Sequence, residues 1–379
     1  MRWELDTTVS VTEPMAADPQ QQAVMDLVSG HNLVVGLAGS GKTTTLIASV
    51  AQRLREGVSP SEVLVLTYGK SAVRDFREQL AGHAQSTVLP YIGTFHGLAY
   101  SIVMGAGADL AEPQAQELPR LLSGAEEDAR IRDLIAGLLS DAQGPGALIQ
   151  WPEWLRSAAT THSFAHEVRT VIARLKELNQ SGSDLIALGQ KCKRPEWVVA
   201  GHIASNDAEV MALENVLDYN SLLLAAIALA PESPVVSRIS HIYIDEYQEV
   251  GPLHRQLLAV LAQRASVLVA VGNPHESVFG FRGSETDMSS GFYVEFPRAT
   301  SHELTGAWRF GREIATAATA PFDRDRQALV GYGNFPIDVG AVSINKYASR
   351  NSRAAFVAED IYTAHMAEGV PWKSMVVIG

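Results

Sequence analysis

Cysteine is almost missing. Cys192 is the single one in 379 residues, so no disulfide can form within the chain and no cysteine-based zinc site can be built. A lone thiol of this kind is expected as a small packed side chain and suits a reducing compartment. Long apolar runs are missing too. Residues 1–30 carry Asp, Glu, Pro and Gln and lack the apolar core of about 7 to 15 residues that a secretory leader needs. The most apolar central stretch, Leu213 to Ala230, is broken by Glu214, Asn215, Asp218 and Asn220, so it cannot cross a bilayer uncharged. A soluble, cytoplasmic chain is expected. Positive charge is in deficit, with 30 Lys and Arg against 42 Asp and Glu and a formal net charge of -12. Affinity for nucleic acid that ignores sequence rests mainly on Lys and Arg at phosphates. The bulk balance therefore gives such binding no support, and any contact of that kind must be local.

What remains is ordinary globular usage, 46% hydrophobic and 19% charged, long enough for two or three domains with their own cores. No internal repeat or low-complexity tract is present. Leu33 to Leu37 is a short apolar run ending in a Gly-rich turn, Thr43 to about Arg55 has a helical pattern, and Val63 to Thr67 is again β-rich. This is a βαβ opening. His241 to Ile244 and Val267 to Val271 are two further β-branched runs, each ending at polar residues, as buried parallel strands do when functional groups sit at their C-terminal ends. Between them, from about Gly105 to Gly201, Leu, Ile and Ala recur at threes and fours, with breaks at Gly144-Pro145-Gly146 and Arg194-Pro195; an inserted helical domain is expected. A third unit is expected from near Ser301, with strands at Val342 to Ile344 and Met375 to Ile378 around a helix from Ala354 to Glu368. A chain that stops on such a strand is expected to be a domain cut short.

Gly36-Leu37-Ala38-Gly39-Ser40-Gly41-Lys42-Thr43 fits GxxxxGK[ST] and lies between a strand and a helix, the context the motif requires. Glycines let backbone N–H groups turn onto phosphate oxygens, the helix N-terminus adds partial positive charge, Lys42 reaches the β- and γ-phosphates, and Thr43 offers a hydroxyl to magnesium. Average residue usage produces this pattern by chance in roughly one chain in a hundred. Asp245-Glu246 follows a strand directly, where a Walker B pair belongs, Asp245 for the metal and Glu246 for the attacking water. Two adjacent acids after a strand are usually a solvated turn; the phosphate loop upstream reverses that weighting.

Asp245-Glu246-Tyr247-Gln248-Glu249-Val250, followed by Val271-Gly272-Asn273-Pro274-His275-Glu276-Ser277-Val278-Phe279-Gly280-Phe281-Arg282-Gly283, resembles motifs II and III of superfamily 1A DNA helicases of the UvrD/Rep/PcrA type. Further segments fall in that family's order. Leu64-Val65-Leu66-Thr67-Tyr68 with Ala72 and Arg77 resembles motif Ia, Gly93-Thr94-Phe95-His96 the next motif, and Leu217-Asp218-Tyr219 with Leu222 to Leu224 the stretch before motif II. Asp18-Pro19-Gln20-Gln21 is similar to the adenine-reading Q motif, and Leu304 to Ile314 with Trp308-Arg309 to motif IV. The helical insert and its phrases Trp151-Pro152-Glu153-Trp154 and Arg194-Pro195-Glu196-Trp197 resemble the AdnA/AdnB helicase-nuclease subunits. The resemblance implies an α/β P-loop NTPase of RecA-like type, with domain 1A at residues 1–104 and 213–300, a helical domain 1B at 105–212, and the start of domain 2A at 301–379. It implies ATP and Mg2+ as cofactors, single- and double-stranded DNA as partner, 3′ to 5′ movement in repair or recombination, and a helicase-nuclease partner subunit.

The roles that follow from the resemblance are these. Gln21, Gly36, Ala38, Gly39, Ser40, Gly41, Lys42, Thr43, Thr44, Trp308 and Arg309 would bind ATP, with Trp308 stacked on adenine. Lys42, Asp245, Glu246, Gln248, Arg282 and Arg309 would serve hydrolysis, the two arginines bringing charge to the γ-phosphate, and Thr43 and Asp245 would hold the metal. Tyr68, Phe279 and Phe281 would stack single-stranded bases, at roughly 1 to 3 kcal/mol each, Thr94 and His96 would approach the DNA backbone, and Phe95 would belong to the same DNA-binding set. Aromatic slots also answer the charge deficit. The pattern departs at Glu276, where relatives have a γ-phosphate-sensing Gln; a carboxylate facing phosphate is unfavourable. Asn273, His275 and Thr44 also differ from the family's usual residues. The family's motor also needs motifs V and VI of a second RecA-like domain, of which only the start is expected here, and loss of their arginine finger slows phosphoryl transfer by about 10³ to 10⁵. A non-catalytic subunit that clamps DNA, or an incomplete motor half of a helicase-nuclease complex, is the alternative, and a nucleotide switch unrelated to unwinding is the third.

Overall fold

The structure is a computed structural model that describes residues 17–83, 88–108, 119–141, 149–276, 288–319, 332–336 and 342–378. These fall into two compact units, the first within 1–309 and 328–336, the second within 310–327 and 337–379.

The first unit opens with α1 (Pro19–Met25), capped reciprocally: the Asp18 carboxylate accepts the Gln21 N–H at 2.8 Å and Gln21 Oε1 accepts the Asp18 N–H at 3.1 Å. Then come β1 (Gly30–Gly36), α2 (Lys42–Arg55), β2 (Val63–Leu66), α3 (Lys70–His83), β3 (Tyr91–Gly93) and α4 (Phe95–Ala108). β1 starts ahead of the apolar run because His31 and Asn32 join the ladder as well. The insert follows as β4 (Arg120–Leu121), α5 (Gly124–Asp141), α6 (Glu153–Ala159), α7 (His162–Glu177), α8 (Gly182–Cys192), α9 (Pro195–Leu213) and β5 (Val216–Leu217). The chain returns through α10 (Tyr219–Leu229), α11 (Pro234–Ser237), β6 (His241–Ile244), α12 (Pro252–Ala262), β7 (Val267–Gly272), α13 (Met288–Glu295) and β8 (Thr300–Leu304).

Six strands form one parallel sheet in the order β3-β2-β6-β7-β1-β8. Successive strand side chains point to opposite faces, and the two cores divide accordingly. Leu33, Val35, Leu64, Leu66, Ile242, Ile244, Leu268 and Ala270 pack with Leu98 and Ile102 of α4, Leu222 of α10 and Leu257 of α12. Val34, Val63, Val65, Tyr243, Val267, Val269 and Val271 pack with Val24 of α1, Leu46 and Val50 of α2 and Phe76 of α3. Burial on both faces is why these strands read as continuous apolar runs. The boundary expected near residue 300 falls inside β8, whose residues pair with β1 from Asn32↔Thr300 to Gly36↔Leu304.

The insert has its own core, drawn from Ile131 and Ile135 of α5, Leu155 of α6, Val168 and Ile172 of α7, and Val199 and Ile203 of α9, around Trp151. Its entry and exit are stitched by β4 pairing with β5. The two Pro-Glu-Trp phrases mark helix starts: Pro152 is the N-cap residue of α6, and Pro195 is the first residue of α9, where its fixed φ and missing N–H suit the first turn. α8 and α9 meet backbone to backbone. A Cβ on Gly182 would stand 2.3 Å from the Gly201 carbonyl oxygen, and one on Gly201 2.6 Å from that of Gly182. Cys192, expected to be packed, is instead exposed at the end of α8, because that helix buries its glycines against α9 and leaves its last residue outside.

In the second unit, α14 (Arg312–Thr319) and α15 (Arg350–Glu368) are described, the latter running from the cap at Ser349 to Gly369 at φ +72°. The strands expected at Val342 to Ile344 and Met375 to Ile378 do not form. A strand needs a neighbour for its ladder; the Val342 N–H turns to the Glu313 carboxylate at 3.4 Å, and Ile344 and Ile378 lie 87% and 89% exposed. No helix among the described residues is long and apolar enough to cross a membrane.

Candidate nucleotide and nucleic-acid site

Because the six strands are parallel, all their C-terminal ends open on one edge, where ligands of such sheets bind. Reading across that edge in sheet order, β3 and β2 lead into Thr94–His96 and Thr67–Tyr68, β6 and β7 into Asp245–Gln248 and Asn273, β1 into the phosphate loop, and β8 into Trp308.

The loop from Gly36 to Thr43 has left-handed backbone at Gly39 (φ +73°) and Gly41 (φ +86°), where a side chain is disfavoured. Space is short as well: a Cβ on Gly36 would come 2.3 Å from Ser40 Oγ, and one on Gly41 2.6 Å from Gln21 Nε2. Lys42 is buried, and its Nζ donates to the carbonyls of Gly36 at 2.8 Å and Leu37 at 2.9 Å, leaving the third ammonium N–H. Burial pushes the Lys42 pKa down; Glu276, Glu246 and Asp245 push it back up, and Arg309 adds to the fall. The field that reaches Lys42 thus includes Glu276 as the leading carboxylate. Ser40 Oγ is buried with no partner among the described residues.

Thr43 Oγ1 donates to Asp245 Oδ2 at 2.9 Å. A hydroxyl and a carboxylate oxygen converging beside a buried ammonium form the hard-oxygen donor pair that a magnesium ion carrying phosphate oxygens and waters accepts. Asp245 itself is 5% exposed, and its pKa is pushed up to about 6, by burial first and the neighbouring Glu246 second. Glu246 holds a left-handed backbone (φ 56°), which turns the chain sharply after the strand and is uncommon for a residue with a side chain. Gln248 ties two strand ends together: its Nε2 donates to the Glu246 carboxylate and its Oε1 accepts the Asn273 N–H at 3.0 Å. One side chain thus joins the end of β7 to Glu246.

On the other flank, Gln21 Nε2 and Trp308 Cδ1 converge over Gly41, at 2.6 and 3.5 Å from where its Cβ would be. Trp308 N–H donates to the Gly39 carbonyl at 2.9 Å, and its indole nitrogen is buried without a partner among the described residues. An aromatic ring beside an amide and an orphaned donor form a cradle for a flat heterocycle. Thr44 is exposed in the first turn of α2, and Arg309 is exposed beyond Trp308. Ala38 lies half-buried in the loop. The orphaned Ser40 hydroxyl, the glycine cradle and the Thr43–Asp245 pair fit a nucleoside triphosphate with its magnesium.

At the β3 side lies a separate cleft of about 650 Å³, lined by Thr67, Tyr68, Thr94, His96, Tyr219 and His254 among others. The His96 ring meets Tyr219 and His254 edge-on, both with centroids at 5.0 Å, and Phe95 meets His254 at 5.0 Å. Burial holds the His96 imidazole below its ordinary pKa, and burial followed by His96 takes His254 down to about 3. Both rings are neutral at pH 7 and bring no positive charge to the cleft. Phe95 is buried in the core below the cleft, so it supports the wall while Tyr68, His96 and Tyr219 offer surface.

Of the residues singled out in the sequence, the structure brings Gln21, Gly36, Ala38, Gly39, Ser40, Gly41, Lys42, Thr43, Asp245, Glu246, Gln248 and Trp308 to one edge and Tyr68, Thr94, Phe95 and His96 to the adjoining cleft. Phe279, Phe281 and Arg282 lie outside the described residues. Sequence reasoning missed Gln20, whose Oε1 accepts both the Thr305 N–H and hydroxyl at 3.0 Å, as well as His254, Tyr219 as a cleft residue, and Tyr332, whose hydroxyl donates to the Ala38 carbonyl at 2.8 Å. Gln20 had a signal in its neighbour Gln21; His254 and Tyr332 had none.

Residues 17–297 match the UvrD/REP helicase N-terminal domain. The chain is 26% identical over 358 residues to DNA helicase II of Salmonella typhimurium, covering 91% of this chain and 46% of that protein. It is 22% identical over 372 residues to the ATP-dependent DNA helicase PcrA of Staphylococcus aureus, covering 95% and 47%. To PcrA of Leuconostoc citreum it is 23% identical over 322 residues, covering 82% and 39%. The chain thus spans less than half the length of these relatives.

Proposed function

The chain belongs to the UvrD/REP helicase N-terminal domain family, and on that premise we propose that it is an ATP-hydrolysing motor segment of a DNA helicase, moving 3′ to 5′ on single-stranded DNA in repair or recombination. The observation that carries the proposal is the single strand edge that gathers Lys42, Thr43 and Asp245 and has an aromatic cleft at its β3 end. Backbone N–H groups of residues 39–43 and the Lys42 ammonium bind the phosphates, Gln21 and Trp308 hold adenine, and Thr43 and Asp245 hold Mg2+. Bound there, the ion neutralises charge on the phosphate oxygens. Glu246 orients and deprotonates the attacking water, held by Gln248, while Arg309, together with Arg282, brings positive charge toward the γ-phosphate. Tyr68, Thr94 and His96 carry single-stranded DNA, with Phe95 as support and Phe279 and Phe281 as further stacking groups. The proposed division is domain 1A, insert 1B and the beginning of 2A, in a cytoplasmic protein of AdnA/AdnB kind that works with a helicase-nuclease partner subunit.

ATP hydrolysis by this chain with and without single-stranded DNA tests the proposal. Stimulation by DNA that Lys42→Ala abolishes is expected; hydrolysis indifferent to both would contradict it. One feature favours a second reading, a DNA-clamping subunit that does not turn over ATP: Glu276 stands where the family has a γ-phosphate-sensing Gln, and a carboxylate there is unfavourable to an entering phosphate. On that reading Glu276→Gln gains hydrolysis that the parent chain lacks.

A further inference from the structure

Residues 332–336 return to the first unit and lie on the strap that leaves β8. The Gly333 N–H donates to the Thr305 carbonyl at 2.8 Å, the Ala307 N–H to the Asn334 carbonyl at 3.0 Å, and Gly306 bridges Asn334. The fit at Gly306 is close: a Cβ there would stand 2.6 Å from Trp308 Nε1 and 3.0 Å from Asn334 Oδ1. Tyr332, its ring tilted against Phe335 at 6.0 Å, reaches from this segment to the phosphate loop and donates to the Ala38 carbonyl at 2.8 Å. The next carbonyl, Gly39, is held from the same strap by the Trp308 N–H at 2.9 Å.

In a trans peptide the C=O of one residue and the N–H of the next point in opposite directions. Fixing the Ala38 carbonyl on Tyr332 therefore turns the Gly39 N–H away from Tyr332. That matters at Gly39 above all, since its glycine backbone at φ +73° has no side chain to restrict rotation of the peptide. We propose that Tyr332 is a positioning residue for the phosphate loop, its hydroxyl holding the 38–39 peptide so that the Gly39 N–H faces the phosphates of a bound nucleotide. The inference rests on the assignment of the loop to ATP. Burial and then Glu276 push the Tyr332 phenol up to about 12, so it stays a donor across the neutral range. Because the peptide serves a phosphate that ATP and ADP share, both should feel the loss of the hydroxyl alike.

The test compares wild type, Tyr332→Phe and Lys42→Ala by equilibrium binding of fluorescent ATP and ADP with Mg2+, alongside thermal unfolding. One neutral hydrogen bond corresponds to about a five-fold change. Tyr332→Phe should weaken ATP and ADP by about that same factor with Tm unchanged, the backbone anchor of Trp308 remaining. Affinities equal to wild type, or a loss that appears only together with a lowered Tm, would overturn the positioning role while Lys42→Ala still loses binding. A wild-type chain that binds neither nucleotide, no better than Lys42→Ala, would overturn the assignment of the loop and the inference with it.

Discussion

Asp245 is held where its ionised form is disfavoured, with burial and Glu246 raising its pKa to about 6 against about 3.9 in an unfolded chain. The folded state then binds more protons between those values, so this group's contribution is full below about pH 4 and is lost as pH rises through about 6. Asp245→Asn should accordingly raise the Tm of the metal-free protein at pH 7.5, by up to about 3 kcal/mol of stability, and the gain should shrink toward nothing as pH falls to about 4. Thermal unfolding over that range checks it; a variant less stable at pH 7.5 would show that the carboxylate is structural. His254 has the opposite sign. Its pKa is depressed to about 3, so its contribution is present above about pH 6.5 and lost as pH falls toward 3. His254→Phe should flatten the acid limb of the Tm profile between about pH 6.5 and 4, and an unchanged limb would mean that other groups set it. Lys42 and Thr43 were legible as candidates because a phosphate loop needs fixed residue types at fixed spacing, and Asp245 because it follows a β-rich run directly in a chain that carries such a loop. His254 and Tyr332 were not, since they meet the site only through the fold.

At the scale of elements, the strands were legible for a physical reason: β2, β6 and β7 are buried on both faces and so are written as unbroken aliphatic runs. The same apolar signal misled at Val342 to Ile344 and Met375 to Ile378, where composition favours a strand but no described neighbour supplies a ladder. β8 was harder to see, because Thr300–Leu304 is an edge strand with mostly open residues. Helix contact in the insert depends on two glycines that no period reveals. Gly201→Val should destabilise the chain by about 1 to 3 kcal/mol, since its side chain would collide with the Gly182 carbonyl and the Ile186 backbone, while Mg2+–ATP affinity stays as in wild type. Nucleotide affinity falling in step with Tm would mean that the insert and the sheet edge unfold as one unit.

For the whole molecule, a net charge of -12 means that a proposed role on DNA must rest on local contacts rather than on the overall charge. Lys70 is the sole Lys or Arg among the described residues lining the cleft, beside Glu177 and Glu249. The slope of log affinity for single-stranded DNA against log salt should thus be shallow, about -1 to -2. His96→Ala should weaken that binding roughly 5- to 100-fold with the slope unchanged, because it removes stacking rather than charge. A steep slope would point to a basic track elsewhere. The sheet order places this cleft at one end of the strand edge and the adenine cradle at the other, with Gln248 between them. The proposed function stands on a nucleotide in the Gly36–Thr43 loop. The most direct measurement is calorimetric titration of Mg2+ with a slowly hydrolysed ATP analogue into the wild-type chain and Lys42→Ala. The structure predicts stoichiometric binding by the wild type and at least a ten-fold loss, about 1.4 kcal/mol, in the variant; equal affinity of the two would contradict it.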